Sequence, residues 1–226
     1  MNYILVLDIM KERLAVISTK NPTDVLLQTI QSIQLYYSEF DIVIIDSDSS
    51  NLTIFEQITK ECHIEYCKNK NWELGAWTYA FQKFPNYKVY MFLQDTLIPK
   101  CRIPNFSDSV YDNGTIYSFH YFGKVSDGGY FSELINIYKN TDLHFISELN
   151  PNTQITGGAH SSFILNKEDV PNILQLENAY IGKKLPKTKI DCWLSERTVG
   201  IMADKQKKRI DITPYFTKIY GGRDYI

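Results

Sequence analysis

An unbroken run of branched apolar residues, Ile42 to Ile45, constrains the fold of this 226-residue chain more than any other feature. It follows Asp41 and ends at a polar stretch, residues 46–51. Apolar runs without polar alternation are typical of strands that are buried on both faces of a parallel sheet. Because parallel strands need long crossover connections, usually helices, the run predicts an α/β domain.

Strand and helix patterns alternate on both sides of this run. Strands are predicted at residues 14–17, 41–45, 63–66 and 88–93, with helices between them. The first helix is predicted to have Asn21 as its cap and Pro22 in its first turn. A second helix is predicted over residues 52–62, and a third begins at Asn71. This order predicts a Rossmann-like, doubly wound, mostly parallel sheet flanked by helices.

The second half of the chain has a less regular pattern. Strands are predicted at residues 115–121 and 163–165, and helices from Pro171 to about 180 and from Thr188 to about 203. We interpret these elements as a mixed α+β extension on the same sheet. Since no linker or repeat interrupts the chain, residues 1–226 are predicted to form a single domain.

Composition excludes several classes of protein. The net charge is −2, so no basic field predicts binding of nucleic acid or an anionic membrane. No stretch approaches the roughly 20 apolar residues of a membrane span, and the N-terminus lacks a basic leader. The four cysteines form no C-x-x-C pair, which predicts reduced thiols and a cytoplasmic protein. Abundant Ile, Tyr and Asn, with AT-rich codons, are typical of AT-rich genomes, including those of large DNA viruses.

Polar residues follow each of the four predicted strands in the first half. They are Ser18-Thr19, Asp46 to Asp48, Lys68-Asn69 and Gln94-Asp95-Thr96. The carboxyl ends of parallel strands share one rim, where α/β proteins bind ligands, so these residues are candidates for ligand contact. Asp46 and Asp48 are equally typical of Asx turns, and Asn71 of a helix cap.

Known phosphate-binding and hydrolase motifs are missing from the sequence. No Gly-x-Gly-x-x-Gly follows the first strand, and no P-loop or Gly-x-Ser-x-Gly elbow occurs. A nucleotide bound here would lack a glycine-rich phosphate cradle. Its diphosphate would then need a divalent metal held by carboxylates, or basic side chains such as Lys218 and Arg223.

Six stretches, in their order along the chain, resemble GT-A-fold nucleotide-sugar glycosyltransferases. They are Ser18-Thr19-Lys20, "IVIIDSDSSN" (42–51), "NKNWELGAWTYAF" (69–81), "VYMFLQDTLIP" (89–99), "GGAHSSFIL" (157–165) and "DCWLSER" (191–197). The resemblance covers about residues 12 to 203. It implies a nucleotide-binding half over about 1–100 and an acceptor half over about 101–226.

The resemblance also implies roles for particular residues. Those implied to bind the nucleotide-sugar are Ser18, Thr19, Asp46, Asp48, Asn71, Gly75, Gln94 and Asp95. Asp95 is implied to hold Mn²⁺ or Mg²⁺, and Gly157, Gly158 and His160 to line the acceptor pocket. Asp191 is implied to be the general base. Glu196 stays open as the alternative base. Five residues turn a helix by about 140°, so Asp191 and Glu196 do not share a face and at most one of them is expected to be the base.

The implied reaction is metal-assisted transfer of a sugar, with UDP-sugar as the expected donor, to a hydroxyl group. The acceptor would be a glycan, a lipid-linked molecule or a protein, and inversion of configuration is favoured. A catalytically degenerate nucleotide- or sugar-binding domain is the alternative, since Thr96 stands where a second acid would be expected. A nucleotidyltransferase is disfavoured because residues 18–22 contain no glycine-rich basic loop.

Overall fold

The computed structural model describes residues 11–58, 62–106, 115–126, 131–140, 143–174, 188–206 and 208–219. The helices in this part are α1 (Asp24–Tyr36), α2 (Trp72–Lys83), α3 (Phe131–Tyr138), α4 (Val170–Ile173) and α5 (Lys189–Gln206). The strands are β1 (Lys11–Thr19), β2 (Asp41–Ser47), β3 (Cys62–Cys67), β4 (Tyr87–Gln94), β5 (Leu97–Pro99), β6 (Ile116–Lys124), β7 (Gln154–Asn166), β8 (Arg209–Asp211) and β9 (Phe216–Lys218). No helix among the described residues is long and apolar enough to cross a membrane.

A seven-stranded sheet in the order β3-β2-β1-β4-β7-β6-β8 forms the centre of the described structure. Strands β3, β2, β1 and β4 are parallel to one another, whereas β7 runs antiparallel to both β4 and β6. Strands β5 and β9 form a separate two-stranded antiparallel sheet. The mostly parallel sheet with an extension from the second half confirms the predicted fold class.

Helices cover both faces of the sheet because its parallel strands are apolar on both sides. In β1, Leu14 and Val16 belong to a core shared with α2 and α5, and Ala15 and Ile17 to a core shared with α1. The predicted apolar face of α1 is buried, with Ile33 fully inaccessible. In α2, Trp77 is also fully buried and stacks on Phe92 of β4 at a centroid distance of 5.5 Å.

The strand order creates a switch point between β1 and β4. Helix α1 leads from β1 outward to β2 on one face, whereas α2 leads from β3 back across β2 and β1 to β4 on the other face. At such a point the neighbouring connections leave the sheet on opposite sides and open a crevice at the carboxyl ends of the strands. Thr19 ends β1 and Asp95 follows β4, so both lie at this crevice.

Some predicted elements were wrong in extent or kind. Residues 52–58 contain no α-helix but a single 3₁₀ turn at Phe55–Gln57, from which Phe55 fills the α1-side core. Thr23, not Asn21, caps α1, because the Asn21 side chain instead accepts hydrogen bonds from Ser50. The helix predicted from Pro171 ends at Ile173, and residues 175–180 lie outside the described ranges.

Candidate active site

Asp95 is the buried carboxylate at the switch point, with its residue 1% exposed. Its Oδ2 accepts a short hydrogen bond from the Thr19 hydroxyl, and its backbone N–H donates to the Ser18 carbonyl at 3.1 Å. The Asp95 carbonyl in turn accepts from the Thr29 hydroxyl of α1 at 2.9 Å. The structure therefore brings the predicted residues Ser18, Thr19 and Asp95 together and ties them to the ends of β1 and β4.

Replacement of Asp95 by Ala is expected to lower the free energy of unfolding by about 1–3 kcal/mol, because it leaves the buried Thr19 hydroxyl without this acceptor. Denaturant unfolding of Asp95→Ala, Thr19→Val and the double variant measures the coupling. We expect the double variant to cost less than the sum of the single ones. Strict additivity would show that the Thr19–Asp95 bond is not formed in solution.

Asp46 and Asp48 differ in their surroundings although both follow β2. Asp46 is 3% exposed, and its carboxylate accepts from the backbone N–H of Ser49 at 3.2 Å and from the Ser49 hydroxyl. Burial raises the pKa of Asp46, while the two Ser49 hydrogen bonds oppose that rise. Asp48 is exposed and has a φ of 64°, so it faces solvent at the same rim. Asp46 thus holds its own turn, and Asp48 is the acid that a ligand can reach directly.

The segment before α2 is built around Asn69 rather than Asn71. The Asn69 side chain donates to Ser47 and to the Trp72 carbonyl and accepts from the Asn71 N–H at 2.8 Å. Asn71 is the N-cap residue of α2 but makes no side-chain capping hydrogen bond. A Cβ added at Gly75 would lie 2.1 Å from Asn69 Oδ1, so glycine is required there by close packing. The predicted residues Asn71 and Gly75 therefore lie at the rim and have structural roles.

Glu73, in the first turn of α2, is a site residue that the sequence did not single out. The Oε1 atom of Glu73 accepts from Gln94 Nε2 at 2.7 Å, and the Sγ atom of Cys192 in α5 lies 3.8 Å from Glu73 Oε2. This carboxylate connects the start of α2, the end of β4 and the first half of α5. The signal in the sequence was its position in the resembling stretch 69–81, in which the resemblance implies roles for Asn71 and Gly75 but none for Glu73.

Lys218 brings a cation to the end of β4. Its ammonium group donates to Gln94 Oε1 and to Thr96 Oγ1 in two short hydrogen bonds. Burial lowers the pKa of Lys218 to about 8, although the nearby carboxylates of Glu73 and Glu196 oppose that change. The sequence marked Lys218 as a phosphate-neutralising candidate, but its place beside Gln94 became evident only from the fold. Arg223, the other candidate, lies outside the described residues.

Glu196 lies on the face of α5 that meets this cluster. Burial, and then repulsion from Glu73, raise the pKa of Glu196 to about 7, while Lys189, Arg197 and Lys218 act in the opposite direction. Its side chain keeps some exposure to solvent while protein surrounds most of it. A carboxylate with a near-neutral pKa can accept and release a proton at physiological pH.

Asp191 forms the capping box predicted from its spacing to Thr188. Asp191 Oδ2 accepts from the Thr188 N–H at 3.0 Å, and the Thr188 hydroxyl accepts from the Asp191 N–H at 3.1 Å. These two bonds satisfy N–H groups at the start of α5 and explain an acid at this position without catalysis. The base role implied for Asp191 stays a prediction.

An aromatic pair lies next to Glu73 and Glu196. The ammonium group of Lys189 is 4.7 Å from the ring centroid of Trp72 and 5.8 Å from that of Trp193, which is 38% exposed. Trp72 has a φ of 58°, a conformation that costs a bulky residue on the order of 1–3 kcal/mol. Strain of this kind is concentrated at functional sites, so the conformation of Trp72 also indicates a site at the start of α2.

The residues predicted to bind the acceptor lie within β7. Gly157 pairs with Tyr121 and Gly158 with His120, next to an irregularity in the β6–β7 register. The backbone of His160 belongs to the same strand, and its side chain lies outside the described structure. The acceptor role of Gly157, Gly158 and His160 therefore stays a prediction.

The side chains at the end of β4 do not fit a metal ion held by several acids. Asp95 supplies a single carboxylate there, and its Oδ2 already accepts from Thr19. The neutral oxygens of Gln94 and Thr96 accept from Lys218. Across the described ranges, no group of three or more His, Cys, Asp or Glu side chains could hold a metal ion.

This sheet, with its switch point between β1 and β4, gives the chain the fold of the GT-A glycosyltransferases. TarS of S. aureus, solved as residues 1–349 in complex with UDP-GlcNAc, matches 95% of this chain with a TM-score of 0.51 and 12% identity. The mannosyltransferase PcManGT from Pyrobaculum calidifontis, in complex with GDP-Man and Mn²⁺, matches 89% with a TM-score of 0.50 and 10% identity. At these identities the similarity establishes the fold alone.

The chain is shorter than these proteins. It spans 60% of the TarS 1–349 chain, 54% of the mannosyltransferase and 36% of a longer TarS chain. No protein-family model matches the sequence, and a sequence search against curated proteins finds no match.

Proposed function

We propose that this protein is a glycosyltransferase that moves a sugar from a nucleoside diphosphate donor to an acceptor hydroxyl. The observation that carries the proposal is the bonding of Lys218 to Gln94 and Thr96, the two residues that flank buried Asp95, with Glu196 close enough to Lys218 for the two charges to interact. Asp95, Lys218 and Glu196 supply a buried acid, a cation and a carboxylate of near-neutral pKa at the switch point of an α/β sheet. This is the place where open α/β sheets bind their ligands.

The donor is proposed to bind along the rim formed by the first half, about residues 1–100, with the second half forming the acceptor side. A UDP-sugar is the expected donor, in line with the UDP-GlcNAc bound to TarS. The proposed contacts are Ser18, Thr19, Asp46, Asp48, Asn71, Gly75, Gln94 and Asp95 for the donor, and Gly157, Gly158 and His160 for the acceptor. If a metal ion neutralised the diphosphate, Asp95 would hold Mn²⁺ or Mg²⁺ and the donor's own phosphates would have to supply further ligands.

Glu196 is proposed as the general base, with Asp191 as the alternative. In an inverting transfer the acceptor oxygen attacks the anomeric carbon and passes its proton to the base. The bond from that carbon to the diphosphate oxygen breaks, and its electron pair leaves with the diphosphate. The pKa of Glu196, raised to about 7, suits this proton transfer, whereas the Asp191 carboxylate is engaged in capping α5.

Purified protein is expected to bind a nucleoside diphosphate. It is also expected to hydrolyse a nucleotide-sugar slowly, which releases the nucleoside diphosphate. A thermal-shift screen of UDP, GDP and other nucleotides, with Mn²⁺ and with EDTA, should find one that raises the melting temperature. Ligand at 100 times its Kd stabilises by about 2.7 kcal/mol, enough for a clear shift. Donor hydrolysis with a panel of nucleotide-sugars then tests catalysis. If no nucleotide shifts the melting temperature under either condition, the donor site is refuted.

A degenerate nucleotide- or sugar-binding domain is the second candidate, favoured by Thr96 in the place of a second acid. The same two measurements separate it from the enzyme. Binding of a nucleotide without hydrolysis of any donor, and without transfer to glycan, lipid-linked or protein acceptors, would favour this candidate.

A further inference from the structure

We infer that the ammonium group of Lys218 takes the place of a divalent metal at the donor diphosphate. The inference rests on the proposed function and specifies which group neutralises the leaving diphosphate. Transfer by this protein is then independent of Mn²⁺ and Mg²⁺.

The backbone fixes the position of Lys218. Strand β9 pairs with β5 so that Lys218 stands opposite Leu97, and the N–H of Ile219 donates to the Thr96 carbonyl at 3.0 Å. A second backbone bond, from Lys100 N–H to the Tyr215 carbonyl at 2.9 Å, closes the other end of this ladder. Because β5 follows β4 after two residues, the ladder holds Lys218 beside the residues that follow β4.

Gln94 orients the ammonium group through its side-chain amide. Its Nε2 donates to Glu73 and its Oε1 accepts from Lys218, so one amide joins a carboxylate to a cation. Only this orientation of the amide gives the carboxylate a donor and the ammonium group an acceptor. Glu73 and Gln94 are thus positioning residues for Lys218.

The Lys218 ammonium group at the end of β4 suits a phosphate oxygen better than it suits a bare metal ion. The Lys218 ammonium group uses two of its three protons on Gln94 and Thr96, which leaves one for a further acceptor. A divalent cation at the side-chain oxygens of Gln94 and Thr96 would be repelled by the ammonium group of Lys218 and would have to displace that group. A diphosphate oxygen carries the opposite charge and can accept the third proton of the ammonium group.

In the transfer step Lys218 stabilises the charge that develops on the diphosphate. As the bond from the anomeric carbon to the diphosphate oxygen breaks, that oxygen takes the electron pair, and the nearby ammonium group lowers the energy of this charge. The acceptor oxygen forms the new bond to the anomeric carbon, and its proton goes to the proposed base. Donor, acceptor and protein together account for every bond, electron pair and proton in this step.

The test measures the binding of UDP, or of the diphosphate that the thermal-shift screen identifies, by calorimetry. The protein is first treated with EDTA to remove bound metal ions. Wild-type protein is expected to bind the diphosphate with the same Kd, within about twofold, in EDTA and in Mn²⁺. Lys218→Met is expected to weaken binding about 30-fold or more, while binding of the nucleoside without phosphates is unchanged. Lys218→Arg, which keeps the charge, is expected to recover part of the loss.

Lys100→Met is the matched control, because Lys100 is an exposed lysine at the other end of the same β5–β9 ladder. It should leave binding unchanged. The wild-type comparison needs no variant, so a Lys218→Met protein that fails to fold does not block the test. Binding that requires Mn²⁺, or that Lys218→Met leaves unchanged, overturns this inference and leaves the proposed glycosyl transfer standing. Absence of nucleotide binding in every condition refutes the proposed function itself.

Discussion

Replacement of Glu196 by Gln is expected to lower kcat for sugar transfer by about 10²–10⁴-fold, the usual contribution of a positioned general base. Gln has nearly the same shape, but it cannot take the proton of the acceptor hydroxyl. Binding of the donor nucleotide should change little, since the loss is in the chemical step. Single-turnover kinetics with a saturating donor measure this directly.

The pH profile provides a second readout of Glu196. With a pKa of about 7, the carboxylate is protonated and inactive as a base in acid, so kcat/KM should rise as the pH passes 7. The groups facing it are Glu73 from α2, Lys218 from β9, and Lys189, Cys192 and Arg197 from α5. Lys218, with a pKa of about 8, loses its charge at higher pH, so kcat/KM should fall again in the alkaline range. In Glu196→Gln the rise near pH 7 should disappear.

Stability separates a catalytic loss from an unfolded variant. The folded-state pKa of Glu196 is raised above its ordinary 4.5, so wild-type protein loses stability as the pH rises from about 4.5 through 7. Glu196→Gln has no such group, so its melting temperature relative to wild type should increase between pH 5 and 8.

Asp191→Asn is the control on the same helix, since Asn keeps a capping oxygen. A large loss of kcat in Asp191→Asn and none in Glu196→Gln would assign the base to Asp191.

Replacement of Arg209 by Met is expected to lower the free energy of unfolding by about 3 kcal/mol, because part-buried acceptors lose their donor. The Arg209 side chain is 4% exposed and donates to Ser118, to the carbonyls of Thr156 and Gly200, and to Asp204. It thereby joins β8 to β6, β7 and α5. For a domain of this size the melting temperature should fall by about 6–12 °C, as measured by calorimetry.

Arg102→Met provides the comparison, since Arg102 also pairs with a carboxylate, Glu39, but its side chain is 41% exposed. Exposed ion pairs contribute about 0–1 kcal/mol, so its melting temperature should change little. Equal losses in the two variants would show that burial does not decide the contribution of Arg209. Arg209 closes a short basic run that starts at Lys205, and the two ends of this run differ: Lys205 is exposed, whereas the Arg209 side chain is buried.

Local patterns predicted the first half of the fold because each one reports directly on burial. The apolar run Ile42–Ile45 is buried on both faces, and Leu26, Ile30 and Ile33 face the core from α1. The prediction failed where side chains take other partners, as at Asn21, or where one buried ring suffices to fill the core, as at Phe55. Such choices depend on neighbours that are distant in sequence.

The sequence by itself determined the strands, their polar ends and therefore the rim on which Thr19, Asp46 and Asp95 lie. Only the tertiary structure brought Glu73, Glu196 and Lys218 to the end of β4, since α2, α5 and β9 supply them from positions up to 145 residues apart, 73 to 218. Hydrophobic periodicity fixes which face of an element is buried, but it carries no information on which charged side chains of different elements meet. Strand order and the β5–β9 pairing decide which charged side chains meet, and this pairing places Lys218 beside the end of β4.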